Sequence, residues 1–87
     1  MTNVQNLGND FDFTISPNPV QEQLHLDFGD TKSAYLMQII DNMGKIIETH
    51  IIKKNSKTID VSNWNAGLYF IRLEHQGQLK TRSFIKQ

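Results

Sequence analysis

The feature that most constrains this chain is a two-residue rhythm of apolar and polar side chains, written in short runs and cut by turn residues every 8–14 positions. Such alternation sets one face of a β-strand against a core and the other in water. Phe11, Phe13 and Ile15 alternate with Asp12 and Thr14, and Leu24, Leu26 and Phe28 alternate with His25 and Asp27. Tyr35 to Asp41 is apolar on both parities, which predicts a central strand. Asn42-Met43-Gly44 leads directly into the isoleucine-rich run Lys45 to Ile52. A short Asn/Gly loop between two β runs predicts a hairpin with Gly44 at positive φ. Lys57 to Val61 reads as a fifth strand, with Ile59 and Val61 inward. The sixth carries Tyr69, Ile71 and Leu73 on its inner parity, and Leu79 to Lys86 reads as the last. In that last run Leu79 and Ile85 share one face while Phe84 falls on the other, which predicts a bulge or a two-sided strand end.

No helical period persists for 11 residues, so the expected fold is all-β: a seven-stranded immunoglobulin-like antiparallel β-sandwich. At 87 residues there is room for one small core. There is no cysteine, so neither a disulfide nor a thiolate metal site reinforces it. The apolar runs are a few residues long, far short of the roughly 20 that cross a bilayer as a helix. The start, Met1-Thr2-Asn3-Val4-Gln5-Asn6, is polar and unlike a signal peptide. Residues 1–10 therefore read as the end of a linker and 11–87 as the domain, with Met1 an initiator added to a piece of a longer protein.

Net charge is zero, which argues against a nucleic-acid partner, since that role needs a basic surplus. The charges are segregated, however. Asp10, Asp12, Glu22, Asp27 and Asp30 are the only charged groups in residues 1–30, and all nine Lys and Arg residues follow. Lys80, Arg82 and Lys86 close the chain without an acid nearby in sequence. This predicts either attraction between the first and last strands or a basic edge offered to a receptor.

The sequence holds no catalytic or metal-binding motif. His25, His50 and His75 lie on different strands without ligand spacing, and no nucleophile elbow, phosphate loop or zinc-binding helix motif occurs. The acids at 10, 12, 27 and 30 do not follow a calcium-loop pattern. No catalytic residue, metal or cofactor is expected. Trp64, in the loop before the sixth strand, reads as a hydrophobic plug, or alternatively as a platform for a sugar ring in a carbohydrate-binding or adhesive module. A plain structural spacer is the third reading.

An ordered set of short motifs goes further. Ile15-Ser16-Pro17-Asn18-Pro19-Val20 precedes Leu24 and Leu26; Ile40-Asp41-Asn42-Met43-Gly44-Lys45 follows; then come Ile59-Asp60-Val61-Ser62, Ala66-Gly67-Leu68-Tyr69-Phe70 and a closing Phe84-Ile85-Lys86-Gln87. In this order they resemble the type A C-terminal sorting domain of the type IX secretion system, found across the Bacteroidota. Two departures stand out: Trp64-Asn65 where the family more often has Leu then Pro, and Ser83 where a lysine is common. The resemblance implies an address label, not an enzyme. It would carry an N-terminal cargo domain from the periplasm through the outer-membrane translocon to a secreted or surface state, after which a sortase-like peptidase removes it. Pro17, Asn18, Pro19, Asp41, Gly44, Lys45, Ala66, Gly67 and Tyr69 are the sorting-motif residues so implied. Lys80, Arg82, Phe84 and Lys86, on the terminal strand, are the candidates for translocon recognition. An exposed edge strand also suggests a homodimer.

Overall fold

A computed structural model describes residues 12–29 and 34–87. It contains seven strands: β1 (Thr14–Ser16), β2 (Gln23–Asp27), β3 (Tyr35–Asp41), β4 (Ile46–Ile52), β5 (Ser56–Asp60), β6 (Gly67–His75) and β7 (Gln78–Lys86). One sheet has the order β1-β2-β5 and the other β4-β3-β6-β7, with every pairing antiparallel. There is no helix among the described residues, and so none long and apolar enough to cross a membrane. The chain is an immunoglobulin-like sandwich.

The two inner faces interdigitate as the alternation requires. Leu24 and Leu26 of β2 and Ile59 of β5 meet Met37 and Ile39 of β3 and Ile71 and Leu73 of β6, all at most 5% exposed. Phe13, Phe28 and Tyr35 close one region of this layer, with ring centroids 6.1 Å and 5.9 Å apart along the series. β3 is paired on both sides, the central place that its sequence predicted. Phe13 is buried but precedes β1, which is only three residues long; Phe11 lies outside the described residues. Val61 is buried one residue beyond β5, where its N–H donates to the Glu22 carbonyl at 2.8 Å.

The last strand corrects one expectation. β6 and β7 stay in unbroken register from Gly67↔Lys86 to His75↔Gln78, so β7 has no bulge. The irregularity falls between β3 and β4, where Ile40 pairs with Ile46 and Ile47 becomes the extra residue, turned toward the core. On β7 the parities simply divide. Lys80, Arg82, Phe84 and Lys86 look inward, whereas Leu79 and Ile85 look outward and are 61% and 48% exposed. An edge strand reaching past the narrower three-stranded sheet can carry charged groups on its inner face, because part of that face is uncovered.

Local backbone requirements sit at the strand junctions. Gly67 takes a φ of +150°, and a Cβ there would meet nothing within 4 Å, so conformation and not crowding selects glycine. Replacing it by Val places a β-branched side chain at positive φ, which costs on the order of 1–3 kcal/mol. Ile71→Ala, which empties space at the centre of β6, should cost about 2–5 kcal/mol. Urea titration of both variants measures these losses; an unchanged midpoint for Ile71→Ala would contradict the packing described.

Candidate functional site

The register places the motif residues together. β1 ends at Ser16 and β2 begins at Gln23; β3 ends at Asp41 and β4 begins at Ile46; β5 ends at Asp60 and β6 begins at Gly67; β7 ends at Lys86. All three intervening loops and the chain end therefore lie at the same end of the sandwich. Residues separated by nearly 70 positions in sequence are direct neighbours there.

Pro17-Asn18-Pro19-Val20 crosses from the first sheet to the second and clasps the last strand. The Ser16-Pro17 and Asn18-Pro19 peptides are both cis. With no N–H on Pro17 or Pro19, only Asn18 and Val20 can donate from this segment's backbone. The Val20 N–H donates to the Ile85 carbonyl at 2.8 Å, and the Gln87 N–H donates to the Val20 carbonyl at 2.8 Å. The Ile85 N–H donates to the Asn18 side-chain oxygen at 3.0 Å. Val20 itself is fully buried and forms a parallel bridge with Lys86. The outer edge of β7 is thus satisfied over its final residues, where an unpaired edge would otherwise begin.

The second motif loop is organised by one carboxylate. Asp41 Oδ1 accepts the N–H groups of Met43 and Lys45, each at 2.9 Å. The Asp41 N–H donates to the Lys45 carbonyl at 2.9 Å, and the Gly44 N–H to the Asp41 carbonyl at 3.0 Å. Gly44 has a φ of +86°, as the hairpin requires. Asp41 and Lys45 therefore shape the loop through these bonds, while the Lys45 side chain is exposed.

The third loop is held from both ends. Asp60 Oδ1 accepts the Ser62 N–H at 2.9 Å and the Ser62 hydroxyl at 2.6 Å, which holds the Asp60 carboxyl below its ordinary value. Tyr69, early in β6, donates its hydroxyl to the Asn65 carbonyl at 2.7 Å, forming the tyrosine corner of immunoglobulin-like folds. Its ring stacks on Phe84 with centroids 5.4 Å apart, and Trp64 leans on both at 5.2 Å and 6.5 Å. Trp64 is half-buried against the core, so it serves as the plug. Ala66 is exposed at the rim beside Asn65.

The terminal-strand candidates fare differently from one another. Phe84 is 1% exposed and Lys86 7%, with Lys86 Nζ donating to the Gln87 carbonyl at 2.7 Å. Inward parity buries both, so the folded chain does not offer them to a partner. Lys80 is half-buried. Arg82 reaches Asp12 Oδ1 at 2.6 Å and lies over the Phe13 ring, 5.6 Å from its centroid. Attraction between the chain's acidic start and basic finish thus takes the form of a definite ion pair. The Arg82 hydrogen bond, helped by the Phe13 N–H and the charges of Arg82 and Lys80, holds the Asp12 carboxyl below its ordinary value. Of the other acids once considered for calcium, Asp27 accepts the Gly29 N–H, and Asp10 and Asp30 lie outside the described residues.

The clasp between Val20 and Gln87 leaves no trace in the sequence, because backbone groups make it and carry no side-chain signature. The role of the Asn65 carbonyl is hidden for the same reason. Asp60 offered a signal, an acid two residues before a serine, the spacing of a local Asx turn.

Comparison with known proteins now decides the family. A family model described as "Secretion system C-terminal sorting domain" matches residues 14–87. The chain belongs to that family. Karilysin of Tannerella forsythia is 30% identical over 87 residues, an alignment that covers 86% of this chain and 18% of that relative. The chain thus spans less than a fifth of the length of the curated relative it matches. Domains of this family are the C-terminal secretion signals of type IX secretion cargo and are not catalytic, and membership implies export across the outer membrane to the secreted or cell-surface state.

Two outcomes test this geometry. Asn18→Ala leaves the Ile85 N–H without its acceptor and should speed hydrogen exchange at Ile85 by about tenfold or more while the β3 amides stay protected. Asp12 and Asp60, whose carboxyls titrate below the ordinary 3.8 when folded, stabilise the fold above that value and lose the contribution as pH falls through the lower one. Asp12→Asn should therefore reduce the difference in urea midpoint between about pH 6 and about pH 2.5.

Proposed function

We propose that this domain, residues 11–87, directs an N-terminal cargo from the periplasm across the outer membrane through the type IX translocon, and that a sortase-like peptidase then removes it. The cut falls in or before residues 1–10, upstream of Asp12 and Phe13, which are docked on the domain.

The element read by the export machinery is the motif-bearing end of the folded sandwich. One observation carries this reading. Pro17-Asn18-Pro19, the Asp41–Lys45 loop, the rim at Ala66 and Gly67, and the chain end meet only because the strands fold back on one another. An unfolded chain would scatter them over some 70 positions. Lys80 and Arg82 lie further up β7, where Arg82 pairs with Asp12, and in this reading they make no contact with the receptor.

A fluorescent protein with an N-terminal export signal, fused ahead of residues 1–87, tests both points in a type IX-competent bacterium and in its translocon mutant. Fluorescence should reach the medium or surface only in the parent strain. Lys45→Glu combined with Ala66→Glu, both at exposed positions, should lower export about tenfold with an unchanged melting temperature, whereas Lys80→Ala with Arg82→Ala should leave more than about half of it. The opposite ranking would move the recognition surface back to the terminal strand.

A further inference from the structure

Beyond the loops, no layer formed by the described residues covers the outer face of the four-stranded sheet. Among the described residues, six large apolar side chains are exposed, and five of them, Ile46, Ile51, Leu68, Leu79 and Ile85, lie on the outer face of the four-stranded sheet. The sixth, Met43, is in a turn. Half-buried Leu36, Ile40 and Phe70 fill the spaces between them. An antiparallel sheet that ends in water normally turns polar side chains outward, and an apolar face of this kind marks a contact surface.

The register shows what fits it. Reading across β4-β3-β6-β7, one row is Ile51, Leu36, Glu74 and Leu79. The next is polar: Thr49, Gln38, Arg72 and Thr81, with Arg72 Nε and Nη2 both donating to the Gln38 side-chain oxygen. The third is Ile46, Ile40, Phe70 and Ser83, followed by Leu68 beside Ile85. The face is thus banded across the strands, apolar, polar, apolar. In a second copy turned about a two-fold axis parallel to the strands and running between β3 and β6, each band meets its own kind. Ile40 faces Phe70, Ile51 faces Leu79, and Arg72 faces Gln38 of the other copy, not another Arg72. The two formal charges of the face, Arg72 and Glu74, both lie on β6, so this axis sets neither against its like.

We infer that two copies of this chain associate through the outer faces of their four-stranded sheets, giving a four-layered dimer with the motif-bearing ends free. Four strands at about 4.8 Å spacing and about seven residues at about 3.3 Å each present roughly 400 Å² per copy. The total burial, on the order of 800–1,000 Å², lies below the roughly 1,200 Å² of a stable specific interface and in the range of weak ones. The dimer is therefore weak, and it forms as concentration rises.

Sedimentation velocity on the 87-residue chain, from about 5 μM to about 500 μM, reads this directly. The expected result is a monomer at the low end and a species of twice its mass at the high end. Ile51→Lys alone should weaken association by about tenfold or more, and Leu79→Glu alone likewise. The two together should restore it, because the axis sets each new lysine against the other copy's new glutamate. Within one copy these positions are three strand spacings apart and do not meet. Circular dichroism and melting confirm that each variant is folded. Thr81→Pro removes an N–H from the outer edge of β7 and serves as the control for edge-to-edge pairing. Its association should match the parent. A chain monomeric throughout, a double variant no better than the singles, or loss of the dimer in Thr81→Pro would each overturn the inference.

Discussion

With no cysteine to cross-link its sheets, this small sandwich depends on a single interdigitated apolar layer and on the places where the chain crosses from one sheet to the other. The layer supplies cohesion, but it does not by itself fix the ends. At the motif-bearing end that task falls to the crossing at Val20, whose buried side chain joins the core while its backbone stitches the outer edge of β7. The Tyr69–Phe84 stack with Trp64 leaning on it seals the same end from the side. Each motif loop is then shaped by a local bond that needs this frame: Asp41 for the hairpin, Asp60 and the tyrosine corner for the loop before β6.

Much of this was legible in the sequence, for a physical reason. Period-two alternation is a direct record of which side chains face a core, and it identified the inward positions of Leu24, Leu26, Ile71 and Leu73, while the run apolar on both parities marked β3 as central. Turn chemistry at Gly44 was equally direct, because few residues tolerate positive φ. The charges of β7 allowed two readings, attraction to the acidic start of the chain or an outward basic edge. The Arg82–Asp12 pair supports the first, and positions 80, 82 and 86 share the inner parity with Phe84. Sequence alone does not say that one sheet is wider than the other, and only that difference lets charged groups sit on an inner face. Most of the clasp was hidden for another reason: the backbone hydrogen bonds of Val20 with Ile85 and Gln87 carry no residue-type signal beyond the prolines that restrict the donors.

The arrangement also explains how scattered motifs can act as one signal. Neither the Pro17–Pro19 segment nor the Asp41–Lys45 loop is distinctive alone, since each is a common turn. Their identity as a set comes from the sandwich, which converts order along the chain into proximity at one end. In the proposed reading, the signal's legibility to a receptor and the fold's stability are coupled through the same residues. Asn18, Asp41 and Tyr69 each hold structure through their side chains while standing at or beside the surface proposed to be read.

That coupling is the central claim, and it is tested most directly by secretion across a graded series of core substitutions remote from the motif-bearing surface, such as Ile71→Val, Leu73→Ala and Leu26→Ala. Export of a fused reporter would be plotted against the folded fraction of each domain measured in isolation. Export that falls in proportion to the folded fraction is the predicted result. Undiminished export from a variant shown to be unfolded would contradict it, and would mean that a linear stretch of the chain is read instead.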